Sequence, residues 1–355
     1  AVVLQCRQQL CRVRGVTEQQ LIGELVELCV PFGHGGGQCQ GECRSARLQL
    51  TRHCFAEVST TNDCQPHGSV EGEAEFKKPE MVTHMTDQWM LNRLNFQGCW
   101  QGRGAWFGRD AEDRLDLASP LRVIDPTTYD ISFSDPDTGV WDGSGLFFAP
   151  SGQARYEISR STYNAGGGCW QFQGAGGQSS LTPDPDRRRF GHEINLFHGR
   201  SRSMLVLIWE PVGTRWRLQL VGTVGFRCRM APAPEPERPA FRTAEAMLAP
   251  LQGCSGVAET FRPQPGCIGQ VSTPQPTVFI PDQFMRYERT AVTQAGLVFS
   301  VPEYLPEGSF QLEIGGLLGV GLFQQLSILF DANSRLSAWE RRRFLTGTHQ
   351  ESLLV

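Results

Sequence analysis

Apolar and polar residues in the middle of the chain alternate in short runs, not at helical spacing. The runs 129–133, 146–148, 156–158, 193–197, 204–209 and 216–226 are rich in β-branched and aromatic residues and are separated by glycine, proline and aspartate, which predicts successive antiparallel strands. In the last of them Trp216, Leu218, Leu220, Val224 and Phe226 fall on one face and Arg217, Gln219, Thr223 and Arg227 on the other. The stretches 136–139 and 150–152 have the chemistry of turns. A second series of strands is expected beyond Cys254, at 278–280, 284–291, 296–300, 310–314, 323–330 and 336–344.

Helical spacing is confined to short pieces. Thr17 and Gln20 have capping-box spacing ahead of Leu21, Leu25, Leu28 and Cys29. Thr86 is placed to cap a helix carrying Trp89, Met90, Arg93 and Leu94, and 243–251 reads as another. Between the two series lies Ala231-Pro-Ala-Pro-Glu-Pro-Glu-Arg-Pro239, whose alternate prolines fix an extended linker. The expected organisation is a cysteine-rich segment (1–85), a first β-barrel (86–230), a linker (231–245), a second barrel (246–345) and a tail (346–355).

A chain of 355 residues with 40% hydrophobic content can fill two cores. The formal charge of -4 offers no basic excess for a phosphate backbone, so nucleic acid is not the expected partner. The only lysines are Lys77 and Lys78; a general arginine bias of this kind points to genome composition more than to anion binding. No apolar run is long enough to span a bilayer, which leaves a soluble or membrane-peripheral protein. Cys6, Cys11, Cys29, Cys39, Cys43, Cys54 and Cys64 crowd the first segment, where disulfides, a zinc site using Cys39, Cys43, His53 and Cys54, or free thiols are the alternatives. The spacing fits no standard zinc pattern, so disulfides are preferred and no metal is expected.

The two halves begin alike. Asn92-Arg-Leu-Asn-Phe-Gln-Gly-Cys-Trp-Gln-Gly102 opens the first and Ala249-Pro-Leu-Gln-Gly-Cys-Ser-Gly256 the second. Gly98-Cys99-Trp100 resembles the Gly-x-Trp start of a lipocalin or calycin barrel. Phe190-Gly-His-Glu-Ile-Asn-Leu-Phe-His198 with Arg202-Ser-Met-Leu-Val-Leu-Ile-Trp209 and the strand to Arg227, then Tyr304-Leu-Pro-Glu-Gly308, Phe310 to Leu318, Gln324 to Asp331 and Trp339-Glu-Arg-Arg-Arg343, resemble an uncharacterised cyanobacterial and plastid family of tandem lipocalin-like barrels. That family is similar in fold to the S-type phycobilin lyases. The second half departs from the pattern with Ser255 in place of a closing tryptophan.

The resemblance implies that Trp100 closes one end of the first barrel beneath an arginine, with Arg227 expected there and Arg229 as second choice. It implies a plastid, thylakoid-associated protein that is not an enzyme and binds a tetrapyrrole, a carotenoid or a lipid. The alternatives are a structural or assembly subunit docked on a photosynthetic membrane complex or antenna protein and, if an enzyme, a bilin lyase. Arg286, Glu288 and Arg341 are weaker candidates for ligand binding, because charges on barrel strands need partners if they point inward. His34-Gly-Gly-Gly37 has the form of an esterase oxyanion loop, but the chain contains no Gly-x-Ser-x-Gly elbow. His192, Glu193 and His198 flank one strand without a nucleophile, and alternation sets His192 opposite Glu193.

Overall fold

The alternating runs become two antiparallel sheets in the computed structural model, which describes residues 87–144, 155–163, 168–232, 238–263, 271–319 and 321–346. The seven expected cross-linking cysteines Cys6, Cys11, Cys29, Cys39, Cys43, Cys54 and Cys64, the helix at 17–29 and the run 146–148 lie outside the described residues. All described residues belong to one compact unit.

The first sheet contains β1 (Gly98–Phe107), β2 (Arg122–Phe133), β3 (Thr138–Asp142), β4 (Arg155–Ser159), β5 (Cys169–Phe172), β6 (Ala175–Ser179), β7 (Phe190–His198), β8 (Ser201–Val212) and β9 (Arg215–Cys228). Its order is β4-β3-β2-β1-β9-β8-β7-β6-β5, so the first and last strands of the series are neighbours and β4 and β5 are edges. Among the described residues the expected closed barrel is therefore a curled sheet that stops short of pairing its ends. A helix explains how the β5 end is finished. In α1 (Gln88–Phe96) the Gln88 side chain accepts from the Gln171 N–H at 2.6 Å and donates to the Gln171 carbonyl at 2.8 Å, standing in for a neighbouring strand. Asn95 extends the same edge through the Phe172 carbonyl at 2.8 Å. From its other side α1 reaches the turn between β2 and β3, where Trp89 Nε1 and Arg93 both donate to the Pro136 carbonyl. Replacing Gln88 with leucine leaves the donor and acceptor of Gln171 buried and unmatched. A loss of about 2–4 kcal/mol in urea denaturation is the expected result.

The helix starts at Asp87, whose carboxylate accepts from Met90 N at 2.6 Å; the cap expected at Thr86 lies outside the described residues. In the second half Thr243 caps α2 (Ala244–Leu248), followed by a 3-10 turn (Ala249–Leu251). Both openings then turn through Gln-Gly. Gly253 sits at φ 76° between Gln252 and Cys254, whose N–H returns to the Leu251 carbonyl at 2.9 Å, a turn that favours glycine.

The second sheet holds β10 (Ser255–Phe261), β11 (Gln275–Val278), β12 (Thr290–Val292), β13 (Leu297–Ser300), β14 (Phe310–Leu317), β15 (Leu322–Phe330) and β16 (Leu336–Leu345), ordered β11-β10-β16-β15-β14-β13-β12. Among the described residues it too ends in unpaired edges. The strand expected at 284–291 is instead the short helix α3 (Pro281–Phe284), a turn and the three residues of β12. Proline at the first helical position suits a helix start and has no N–H for a strand ladder.

The sheets pack face to face. Leu196, Leu205, Leu207 and Trp209 from the first meet Phe299, Leu312, Ile328 and Trp339 from the second in one buried cluster. Polar groups join them as well: Trp209 Nε1 donates to the Pro302 carbonyl at 3.0 Å, Trp339 Nε1 to Ser179 Oγ at 3.0 Å and Gln324 Nε2 to the Gly174 carbonyl at 2.9 Å. Each sheet thus has one face in this shared core and a second face turned toward its own apolar cluster. Register decides which residues go where. In β9 the alternation expected from Trp216 to Phe226 is interrupted, because Ile208 pairs with Leu220 but Trp209 pairs with Leu218, leaving Gln219 as a bulge. Leu218 consequently enters the shared core, whereas Leu220, Val224 and Phe226 line the other face.

Candidate functional site

The concave face of the first sheet, closed over by α1, carries a dense group of aromatic side chains: Trp89, Phe96, Trp100, Tyr129, Trp141 and Phe226 are all among its buried residues. Phe96 lies stacked on Trp141 with centroids 5.5 Å apart, and Trp141 meets Tyr129 and Tyr163 edge-on at 6.1 and 5.9 Å. Into this box β8 places Arg202, which is fully buried. Its guanidinium lies 4.9 Å from the Phe96 and Phe226 rings, 5.3 Å from Tyr129, 5.8 Å from Trp100 and 5.9 Å from Phe197. The cross-strand register builds that cage, since Arg202 pairs with Phe226 on one side and Phe197 on the other.

Charge at the centre is matched from β7. Arg202 Nε donates to Asn195 Oδ1 at 2.6 Å, its Nη2 is 3.5 Å from Glu193 Oε1, and Asn195 Nδ2 donates to that same carboxylate oxygen at 2.9 Å. Neighbouring polar groups continue the network: Gln171 binds the Tyr163 hydroxyl and accepts from Asn95 Nδ2 at 2.8 Å. Burial pushes the Tyr163 hydroxyl well above its usual range, so it stays neutral while it accepts from Gln171 Nε2.

Among the described residues some buried polar atoms in this interior are left over. Both polar atoms of the Asn92 side chain, which is 0% exposed, and Nε1 of Trp141, which is 2% exposed, have no hydrogen-bond partner. Asn92 occupies the middle of the buried face of α1, one turn from Gln88 and one from Phe96, itself stacked on Trp141. Leaving three such atoms unmatched in a dry interior costs free energy.

Trp100 is completely buried and its Nε1 donates to the Phe96 carbonyl at 2.7 Å, which ties β1 to the end of α1. The arginine over its ring is neither Arg227 nor Arg229. Arg200 lies 4.8 Å from the ring centroid and Arg202 5.8 Å, while Arg227 donates to Ser201 Oγ at 3.0 Å and Arg229 is exposed. Parity is the reason: Trp100 pairs with Cys228, so the residues on either side of Cys228 face the other way. His192 and Glu193 do point apart, Glu193 toward Arg202 and His192 into the shared core against Phe190, Trp209 and Phe330.

Arg286 and Glu288 are exposed in the turn after α3, with Arg286 donating to the Gln283 carbonyl. Arg341 is buried and fully engaged. It is ion-paired with Glu259 of β10, donates to the Gln173 carbonyl of the first sheet and lies 5.3 Å from the Phe172 ring. None of the three lies with Trp100 in the aromatic interior. The other face of the second sheet holds its own buried charge, Glu313, which accepts from Gln325 Nε2 at 2.8 Å and Ser327 Oγ at 2.6 Å and also from Gln311. Burial pushes the Glu313 carboxyl up against the pull of those donors and of Arg342. Among the described residues no group of side chains is arranged to hold a metal ion.

No protein-family model matches the chain, and neither does any curated protein. Two thioesterase-related structures superpose too poorly to carry an argument: the tesB protein of Mycobacterium avium subspecies paratuberculosis, 11% identical over 49% of this chain and 77% of that one with a TM-score of 0.12, and a putative thioesterase II from Thermobifida fusca, 14% identical over 61% and 95% with a TM-score of 0.11. A solved protein of unknown function from the DUF3598 family of the cyanobacterium Nostoc punctiforme is similar over its whole length (100% of that chain and 74% of this one), with 16% identity and a TM-score of 0.52. At that identity the likeness shows the fold alone: a mainly β chain of curled antiparallel sheets, shared with a cyanobacterial protein.

Proposed function

We propose that the concave face of the first sheet binds an apolar or amphiphilic small molecule in the manner of a lipocalin-like barrel. The supporting observation is the pair of buried side chains, Asn92 and Trp141, whose polar atoms lack partners inside an aromatic enclosure. Aromatic walls with a few convergent polar groups are the usual make-up of a small-molecule site. The resemblance in sequence brings the ligand classes, linear tetrapyrrole, carotenoid or lipid, and the plastid or thylakoid setting. Trp89, Trp100 and Trp141 in the enclosure make binding directly readable. Titration with biliverdin, β-carotene in detergent and oleate should quench tryptophan emission saturably for at least one of them. Protein isolated under native conditions should release the same class of molecule to mass spectrometry. No quenching with all three, together with no co-isolated molecule, overturns the reading.

A second reading is a subunit that docks on a photosynthetic membrane complex or antenna protein. It draws on α1, where Met90 and Leu94, one turn apart, are 49% and 61% exposed. Recovery of the protein only as a free monomer from gently solubilised membranes counts against it.

A further inference from the structure

Resting on the reading of the concave face as a binding site, we infer that α1 is a displaceable plug: it occupies the place of the ligand, and the ligand binds when the helix swings out. The aromatic interior is full as it stands. Trp89, Leu91, Asn92 and Phe96 of α1 are at most 4% exposed. Trp89 meets Phe133 and Tyr163, and Phe96 meets Trp141 and Phe197, with ring centroids between 5.0 and 6.3 Å apart. The clefts found among the described residues lie elsewhere, one beside His198 and Arg238 and the other beside Leu115 and Arg289. A ring-bearing ligand therefore enters this face by replacing rings already there. Of the elements that supply them, α1 can leave without parting two strands.

The attachment of α1 suits removal. A helix of nine residues has little stability of its own. It joins β1 through Gly98, at φ 139°, so the joint is built on the residue with the widest range of backbone conformations. Side chains hold the helix down near its two ends, Gln88 on Gln171 and Asn95 on Gly174 and the Phe172 carbonyl. Between these ends the packing is imperfect: both polar atoms of Asn92 lack partners among the described residues, as does Trp141 Nε1 against the Phe96 ring. All three atoms regain partners in water once the helix lifts. That gain offsets part of the cost of exposing Trp89 and Phe96, and ligand rings in the vacated place offset more.

Hydrogen exchange of the full chain tests the plug without a ligand. Amides of α1 should exchange at least about a hundredfold faster than those of β8 and β9, which open only when the sheet unfolds. Asn92→Leu removes the unmatched amide and should slow α1 exchange about tenfold. It should weaken the binding of whichever of biliverdin, β-carotene and oleate quenches tryptophan emission by the same factor, because both measurements report the fraction of open helix. Gln88→Leu loosens the β5 end and should speed α1 exchange and tighten binding together. The second variant keeps the test decisive if the first fails to fold. Exchange of α1 in step with β8 and β9, or binding that both variants leave unchanged, overturns the plug and leaves the binding face standing. If none of the three molecules binds either the parent or Gln88→Leu, the binding face falls, and the plug with it.

Discussion

Between pH 7 and pH 5 the stability of this protein is expected to fall by about 2 kcal/mol on account of His192 alone. The imidazole is 1% exposed and packs against Phe190, Trp209 and Phe330, and neither ring nitrogen has a hydrogen-bond partner among the described residues. Burial lowers its pKa from 6.5 to about 3. In the unfolded chain the ring takes up a proton below about pH 6.5, while in the folded protein it stays neutral until about pH 3. The unfolded state therefore binds more protons throughout that window, and stability is lost as the pH falls through it, by about 1.4 kcal/mol per pH unit. The loss is complete near pH 3, at on the order of 4 kcal/mol. His192→Leu removes the titrating group and also the two unmatched nitrogens. Urea denaturation at pH 7 should find the variant at least as stable as the parent, and at pH 5 more stable than the parent by about 2 kcal/mol beyond any difference at pH 7. Identical pH slopes for the two proteins show that the ring is protonated, or reached by water, in the folded state.

His192 also marks what could be read from the chain beforehand. Its placement opposite Glu193 followed from strand alternation alone, because β7 runs without a break and each neighbour goes to a different face. Strands with a clean apolar signal, such as β8 and β15, were legible for the same reason. Those built on glycine were not. The glycine-rich stretch from Cys169 to Ser179 is not among the expected strands, yet it forms β5 and β6, and a Cβ on Gly176 would stand 2.1 Å from Gln171 Oε1. Glycine there makes room for a side chain on a crowded concave face; it does not break the strand. A Cβ on Gly222 would likewise sit 2.6 Å from the Trp106 ring. Turn chemistry and close packing call for the same residue, and a single sequence does not distinguish them.

The site was less legible than the fold. Trp100 was recognisable from its motif, but the arginine above it depends on a register that composition does not show: a shift of one residue exchanges Arg227 for Cys228. Arg202 stood at the head of an apolar strand and carried a usable signal, a charge where alternation directs the side chain inward. Asn92 gave none. On α1 it is a polar residue on a face shared with Leu91 and Phe96, and only the packing of that face against the sheet shows that its amide is sealed in without partners.

Arg341 shows how a residue that looks like a ligand anchor can serve the fold. Its side chain and that of Glu259 are 2% and 12% exposed, and the pair joins β16 to β10 while the guanidinium also reaches the Gln173 carbonyl between β5 and β6. Burial lowers the Arg341 pKa, and Glu259 opposes that shift. Such a pair gains little over apolar side chains of the same size, but breaking it strands a charge. Arg341→Met leaves the Glu259 carboxylate with only Arg343, 3.9 Å away, and takes the donor from Gln173. A loss of about 3–5 kcal/mol is expected in urea denaturation. Adding Glu259→Leu should restore most of it, because the stranded carboxylate is then gone. The cycle should give a coupling energy above about 2 kcal/mol. A single variant that loses less than about 1 kcal/mol, or a double variant as unstable as the sum of the two singles, means that the pair is solvated and contributes nothing to stability.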